Sequence, residues 1–352
     1  MNLDRIQIKG FKSIRELDLE LRPLNVLIGA NGSGKSNFME VFRLPSQIVE
    51  KRLQNYVAKS GGANRLLHFG AKTTPEMQLK YEFARSAYVV HLAATNENNL
   101  FFSDEAGFWK TAEVNLGSGH IETKLFTQKE HEIIDFVIDS IGGWRVYHFH
   151  DTSDTAYVKL TGYINDNEFL RPDGSNLASY LYLLQKTQRP YYDQIVKTIR
   201  LAAPFFDDFV LRPIPENPDS IILEWQDKGS DVPFPASLLS DGTLRFICLT
   251  TLLMQPNLPS TILIDEPELG LHPYAINLLV DMLEIAATKT QVIVTTQSTH
   301  LVDQFAPENV IVVDREDNQS VFRRLNESEI AHWLEDYSLG ELWEKNIIGG
   351  TP

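Results

Sequence analysis

Residues 29–36, Gly29-Ala30-Asn31-Gly32-Ser33-Gly34-Lys35-Ser36, follow directly on the apolar run Leu24-Asn25-Val26-Leu27-Ile28. The glycines let backbone N–H groups curl round a phosphate, and a helix starting here points its positive end at that charge. In such a loop Lys35 reaches the β- and γ-oxygens of a nucleotide, and the Ser36 hydroxyl takes one position on a magnesium ion. Asn37 borders the same site, and Phe38, Met39, Val41 and Phe42 give the helix its apolar face.

A second reactive group lies far along the chain. Thr261-Ile262-Leu263-Ile264-Asp265-Glu266-Pro267 reads as a buried parallel strand running out into two carboxylates. Asp265 is placed to hold magnesium, directly or through water. Glu266 is placed to orient and polarise the water that attacks a γ-phosphorus. Ahead of it, Leu238-Leu239-Ser240-Asp241-Gly242-Thr243-Leu244-Arg245 opens an apolar helix pattern, with Ser240 standing 25 positions (265 − 240) before Asp265.

This Leu-Ser-Asp-Gly-Thr element resembles the signature motif of ABC-type ATPases. The resemblance implies that Ser240, Asp241, Gly242 and Thr243 meet the γ-phosphate held by a second subunit. Ser240 would donate a hydroxyl and Gly242 allow close backbone approach. Asp241 stands where glycine is commoner, and its charge is accommodated by turning aside to cap the helix. Glu268-Leu269-Gly270-Leu271-His272-Pro273 is similar to the family's subunit-contacting loop. The run Gln291–Thr296 ends at Gln297, where the family usually has a switch histidine. Gln297 can hydrogen-bond a γ-phosphate but takes up no proton, so this catalytic contact implies slow or conditional hydrolysis. His300 lies three residues beyond that position.

Ser36 and Ser240 are 204 positions apart (240 − 36), about twice the separation typical of transporter subunits. The opening Ile6-Gln7-Ile8-Lys9-Gly10-Phe11-Lys12-Ser13-Ile14 looks like the strand, Phe-Lys-Ser, strand start of RecF- and SMC-type ATPases. The whole set of motifs is similar to the RecF/SMC/OLD-like group, AAA-family proteins of the AAA_21 type with an ABC-like head. The resemblance implies that Lys12 and Ser13 line the nucleotide. It also implies an α/β P-loop NTPase fold with a mixed sheet, a parallel core and a compact inserted lobe. ATP and magnesium are the implied cofactors, with two copies closing head to tail around ATP. The glutamine that couples lobe to magnesium has two candidates, Gln78 and Gln128.

The middle of the chain has no sustained heptads but prolines, glycines and short alternating runs that read as strands, such as residues 146–150 and 157–160, so the coiled-coil arms of SMC proteins are not expected. After Gln297 only a strand pair (Val310–Val313, Val321–Leu325) and an acidic tail remain. That leaves no room for the TOPRIM nuclease of OLD enzymes, so a separate effector such as a nuclease is expected, with DNA as a candidate partner. The expected organisation is one ATPase head: 1–85 with the glycine loop, 86–230 as inserted lobe, 231–325 with the later motifs, and 326–352 as tail. Roles in DNA maintenance or anti-phage defence compete with a slow nucleotide sensor or scaffold and with a transporter subunit.

The remaining features bound the reading. No apolar stretch approaches membrane-spanning length and the first residues are no signal peptide, which points to the cytoplasm. One cysteine, Cys248, excludes an internal disulfide. Net charge is −15, yet Lys51–Pro75 holds Lys51, Arg52, Lys59, Arg65 and Lys72 with no acid. Such a patch either balances acids elsewhere or grips a phosphate backbone. Val146, His148 and His150 would share a strand face beside Asp151, a weak metal pattern that buried or interface histidines explain better. Arg171 and Asn176 sit in a turn before a helix and form a lesser candidate for nucleotide contact across a dimer.

Overall fold

The computed structural model describes residues 2–110, 112–127 and 131–351. They divide into two compact units, one of 1–146, 259–263 and 290–352, the other of 147–258 and 264–289. The first opens with β1 (Arg5–Phe11), β2 (Ile14–Glu20), β3 (Leu24–Ile28), α1 (Lys35–Val49), α2 (Leu53–Lys59) and α3 (Ala63–Leu66). It continues through β4 (Glu76–Phe83), β5 (Ser86–Ala94), β6 (Leu100–Trp109), β7 (Ala112–Gly117), α4 (Glu132–Gly142) and β8 (Trp144–Tyr147).

The second unit contains β9 (Gly162–Tyr163), α5 (Leu177–Thr187), α6 (Arg189–Ala202) and the short strands β10 (Phe206–Val210) and β11 (Pro213–Ile214). Then come β12 (Asn217–Ile221), β13 (Glu224–Asp227), β14 (Phe234–Pro235) and α7 (Asp241–Met254). After β15 (Thr261–Asp265), α8 (Pro273–Ala287) also belongs there. The chain returns to the first unit with β16 (Gln291–Thr296), α9 (Thr299–Val302), β17 (Val310–Glu316), β18 (Gln319–Arg324), α10 (Glu327–Leu334) and α11 (Leu339–Glu344).

One six-stranded sheet has the order β18-β17-β3-β16-β15-β8, with β16 and β17 both parallel to β3. The crossover connections of parallel strands lay helices on both faces of such a sheet, and all five residues of β3 are buried. The second six-stranded sheet, β2-β1-β4-β5-β6-β7, is antiparallel. On β4 the buried residues alternate, so Met77, Leu79, Tyr81 and Phe83 share the inner face. Phe42 of α1 meets Trp144 at a ring-centroid distance of 5.2 Å, and Tyr81 meets it at 5.4 Å. This aromatic contact fixes the helix whose first residue is Lys35.

In the second unit α7 is apolar on nearly every side, burying Leu244, Phe246, Ile247, Cys248, Leu249, Leu252 and Leu253. A helix of that kind is an interior element. Burial pushes the Cys248 thiol up to about 12. It therefore stays protonated at neutral pH, and a thiol reagent reaches it only on unfolding.

Three readings of the middle of the chain differ from expectation. Residues 86–146 fall in the first unit and 147–230 in the second, because β5 pairs along the whole of β4 and draws β6 and β7 into that sheet. Tyr157–Lys159 forms a 3₁₀ turn in place of an alternating strand, and Lys159 Nζ donates to the Thr152 carbonyl at 2.6 Å. The strand β8 ends at Tyr147, so Val146, His148 and His150 do not line one strand face. No helix of the described residues is long and apolar enough to cross a membrane.

Candidate functional site

In the first unit the glycine loop springs from the buried end of β3. Parallel registry sets Thr296 of β16 beside Ile28 and Val312 of β17 on its other side. Gly29 and Gln297 therefore follow the ends of their strands at the same level, beside Val313, which is still within β17. Gly29 has φ +155, and a Cβ there would stand 2.3 Å from the Val313 carbonyl oxygen. Gly34 has φ +120, and its Cβ would meet the Ser320 hydroxyl at 2.0 Å. Glycine is required at both by close approach of the neighbouring strand. Gly32, at the tip, faces open space.

Lys35 is buried, and its Nζ donates to the carbonyls of Gly29 at 2.6 Å and Ala30 at 3.0 Å. The ammonium is thus held inside the loop that its own residue closes. The helix α1 begins after Gly34 with no side-chain cap, so its first N–H groups are oriented for an outside acceptor. Asn31 and Ser36 are exposed at the loop rim. The hydroxyl of Ser33 is buried and makes no hydrogen bond among the described residues. An uncapped helix start, an open tip and an orphaned hydroxyl fit a phosphate group.

Two contacts behind the loop were not foreseen. Ser320 of β18 donates to the Ser33 carbonyl at 2.5 Å, and Arg315 of β17 donates to the Gly32 carbonyl at 3.1 Å. The hairpin carrying them turns at Asp317 (φ +47) and Asn318 (φ +62), the two left-handed residues a tight hairpin favours. Ser13 joins the brace: its hydroxyl lies 2.7 Å from that of Ser320 and accepts from the Asn37 amide at 2.6 Å. Lys12, in the turn between β1 and β2, has φ +48 and lies 3.8 Å from Glu40. Gln297 is exposed just past β16, while His300 rides on α9. Gln78 donates to Glu76 on β4 at 3.2 Å; Gln128 lies outside the described residues.

In the second unit Ser240 is the N-cap of α7. Its hydroxyl accepts from Thr243 N–H at 3.2 Å and lies 2.8 Å from the Thr243 hydroxyl. This corrects the expectation that Asp241 caps: Asp241 stands in the first helical turn, where its charge suits the helix dipole. A Cβ on Gly242 would fall 2.2 Å from the Gly270 carbonyl oxygen. Gly242 is therefore packed against the loop Glu268–Pro273. Gly242→Ala is expected to lower unfolding stability by about 1–3 kcal/mol, the usual cost of overpacking, with urea denaturation as the measurement.

Arg245, one turn on, ties this region together and had no signal in the sequence. Its guanidinium donates to the Leu269 carbonyl, to the Phe149 carbonyl at 2.9 Å and to the His150 carbonyl at 3.1 Å. The His150 ring lies 2.7 Å from the Asp265 carbonyl oxygen. That contact gives His150 a structural use beside the carboxylate strand. Glu266, next after β15, holds φ +44. A non-glycine residue in that region stores strain of a kind found at active sites. Arg171 forms a two-bond ion pair with Asp166 (2.6 and 3.0 Å), and buried Asn176 bonds to the Arg171 N–H and to the Asp166 and Phe169 carbonyls. Both side chains are thus engaged within their own turn.

Two solved SMC head structures share the fold. One, an SMC head bound to the C-winged helix domain of ScpA, has TM-score 0.63 and 15% identity, covering 93% of this chain and 100% of that one. The other, an SMC head with an extended coiled coil bound to the C-terminal domain of ScpA derived from Pyrococcus furiosus, has TM-score 0.57 and 14% identity, covering 95% and 98%. Comparison with curated proteins gives no match. The fold is that of a P-loop NTPase with an ABC-type head. A family model described as "AAA domain, putative AbiEii toxin, Type IV TA system" matches residues 24–303, from the strand before the glycine loop to the helix after Gln297, and the chain belongs to this AAA_21 family.

Proposed function

We propose that this chain is a magnesium-dependent ATPase whose two copies close head to tail around ATP, and that the cycle works with a separate effector in DNA maintenance or anti-phage defence. The observation that carries the reading is the glycine loop: an uncapped helix start, a buried Lys35 and an open tip braced from behind. Lys35, Ser36 and Asp265 of one copy hold the triphosphate and its magnesium, with Gly29–Gly34, Asn37, Lys12 and Ser13 shaping the pocket. Glu266 orients the attacking water and Gln297 contacts the γ-phosphate. Ser240, Asp241, Gly242 and Thr243 of the partner copy complete the shell. Loss of the γ-phosphate then releases the clamp.

A protein partner is supported by the similar SMC heads, which are bound to domains of ScpA. A second reading, a nucleotide sensor with slow turnover, is favoured by one residue: Gln297 stands just past the end of β16 with no titratable proton to offer. The test is the ATPase rate per protomer as a function of protein concentration. The proposal expects it to rise and then level off as dimers fill. A rate per protomer independent of concentration, with a monomeric mass in ATP, would overturn the clamp.

A further inference from the structure

The lining of a groove of about 1300 Å³ in the first unit is at odds with the charge of the whole chain, which is −15. Its cations are Lys12, Arg43, Arg52, Lys59, Arg65 and Lys72, and its one carboxylate is Glu40. Glu40 is already engaged: it accepts from Arg43 at 2.7 Å and from the Tyr56 hydroxyl at 2.5 Å, with Lys12 at 3.8 Å. Arg52 pairs with Glu50 at 3.2 Å on open surface, where such pairs contribute little. Lys59, Arg65 and Lys72 are exposed and form no ion pair with another described residue. Cations gathered without counter-charge in a concavity repel one another and hold a site for an anion.

The groove also carries a ring. Phe69 meets the neighbouring His68 ring at a centroid distance of 4.3 Å but is still 60% exposed, and its backbone sits at φ +55, followed by Gly70 at φ +80. A large apolar side chain held in water on a left-handed backbone is doubly unfavourable for folding. Its presence among cations points to a ligand with phosphates and flat apolar faces together. We infer that this groove binds single-stranded nucleic acid, with phosphates on Lys59, Arg65 and Lys72 and one base stacked on Phe69. A duplex keeps its bases stacked inside and offers Phe69 no partner. An acidic peptide would satisfy the cations and leave the ring unused. The inference deepens the proposed function by naming a partner class, and it rests on that reading only for the partner's place in the ATP cycle.

The test is fluorescence anisotropy on the full chain with labelled single-stranded DNA, single-stranded RNA and duplex DNA, each about twelve nucleotides long. The single strand is expected to bind more tightly than the duplex, and whichever of DNA or RNA binds better identifies the source. Phe69→Ala should weaken single-strand binding roughly tenfold and Phe69→Tyr should restore it. Joint replacement of Lys59, Arg65 and Lys72 by glutamine should flatten the slope of log K against log salt by about 2. A labelled ATP analogue should bind all variants as it binds the parent, which shows that they are folded. Failure of the parent to bind any single strand while binding the analogue would overturn the inference and leave the ATPase reading standing. So would equal binding by Phe69→Ala, or a salt slope unmoved by the triple replacement. Loss of analogue binding by the parent would sink the ATPase reading and leave the groove untouched.

Discussion

Lys35→Ala is expected to weaken ATP binding at least about 100-fold, to the point where turnover vanishes, because the side chain is the one cation inside the loop's own curve. Its Nζ lies 2.6 Å from the Gly29 carbonyl and 3.0 Å from that of Ala30, so the ammonium is positioned before any phosphate arrives. A hydrogen bond to a charged group contributes about 1.5–3 kcal/mol, and Lys35 would make more than one to the β- and γ-oxygens. The measurement is titration calorimetry with a non-hydrolysable ATP analogue. Lys35 is buried, so a melting curve must accompany it; Lys35→Met keeps the apolar stem and separates loss of charge from loss of packing. Near-parental affinity in both variants would remove the glycine loop from the nucleotide site.

Glu266→Gln is expected to leave ATP affinity within a fewfold of the parent and to slow hydrolysis about 10²–10⁴-fold, the usual contribution of a general base. Glutamine has the same shape, so the φ +44 backbone at this residue is disturbed as little as any substitution allows. Because hydrolysis is what opens the proposed clamp, the variant should accumulate as an ATP-bound dimer in light scattering while the parent cycles. Parental turnover would show that another group orients the water. Slow turnover with no dimer would keep Glu266 as the base and dismiss the clamp. Each outcome thus reads a different link of the mechanism.

The local settings of the candidate motifs were legible because each is a run of neighbours in the chain. Gly29–Ser36 needs only a strand before it and a helix after it, and both are encoded locally by apolar runs that the structure buries. The same holds for Ser240–Thr243 at the head of α7 and for Asp265 at the end of β15. The supports were not legible. Ser320 and Arg315 reach Ser33 and Gly32 across 287 and 283 residues of sequence, and a serine and an arginine in a surface hairpin carry no periodicity to betray that contact. Arg245 was equally silent, since its partners are backbone carbonyls, which any residue supplies.

Two further misreadings have the same origin. The cap of α7 falls to Ser240 and not Asp241, because only the residue just outside the helix can aim its oxygen at the first free N–H groups. Residues 86–117 looked like part of an insert, yet they join the N-terminal sheet because β5 finds a full-length antiparallel partner in β4. The order of the residues therefore determined the strand or helix end that carries each candidate group. The tertiary structure alone decided what braces the glycine loop, which residue caps α7 and how scattered lysines and arginines come to line one groove. Spacing along a chain encodes contacts a few residues long, whereas ladder pairing and side-chain-to-carbonyl bonds join positions hundreds of residues apart and leave no local trace.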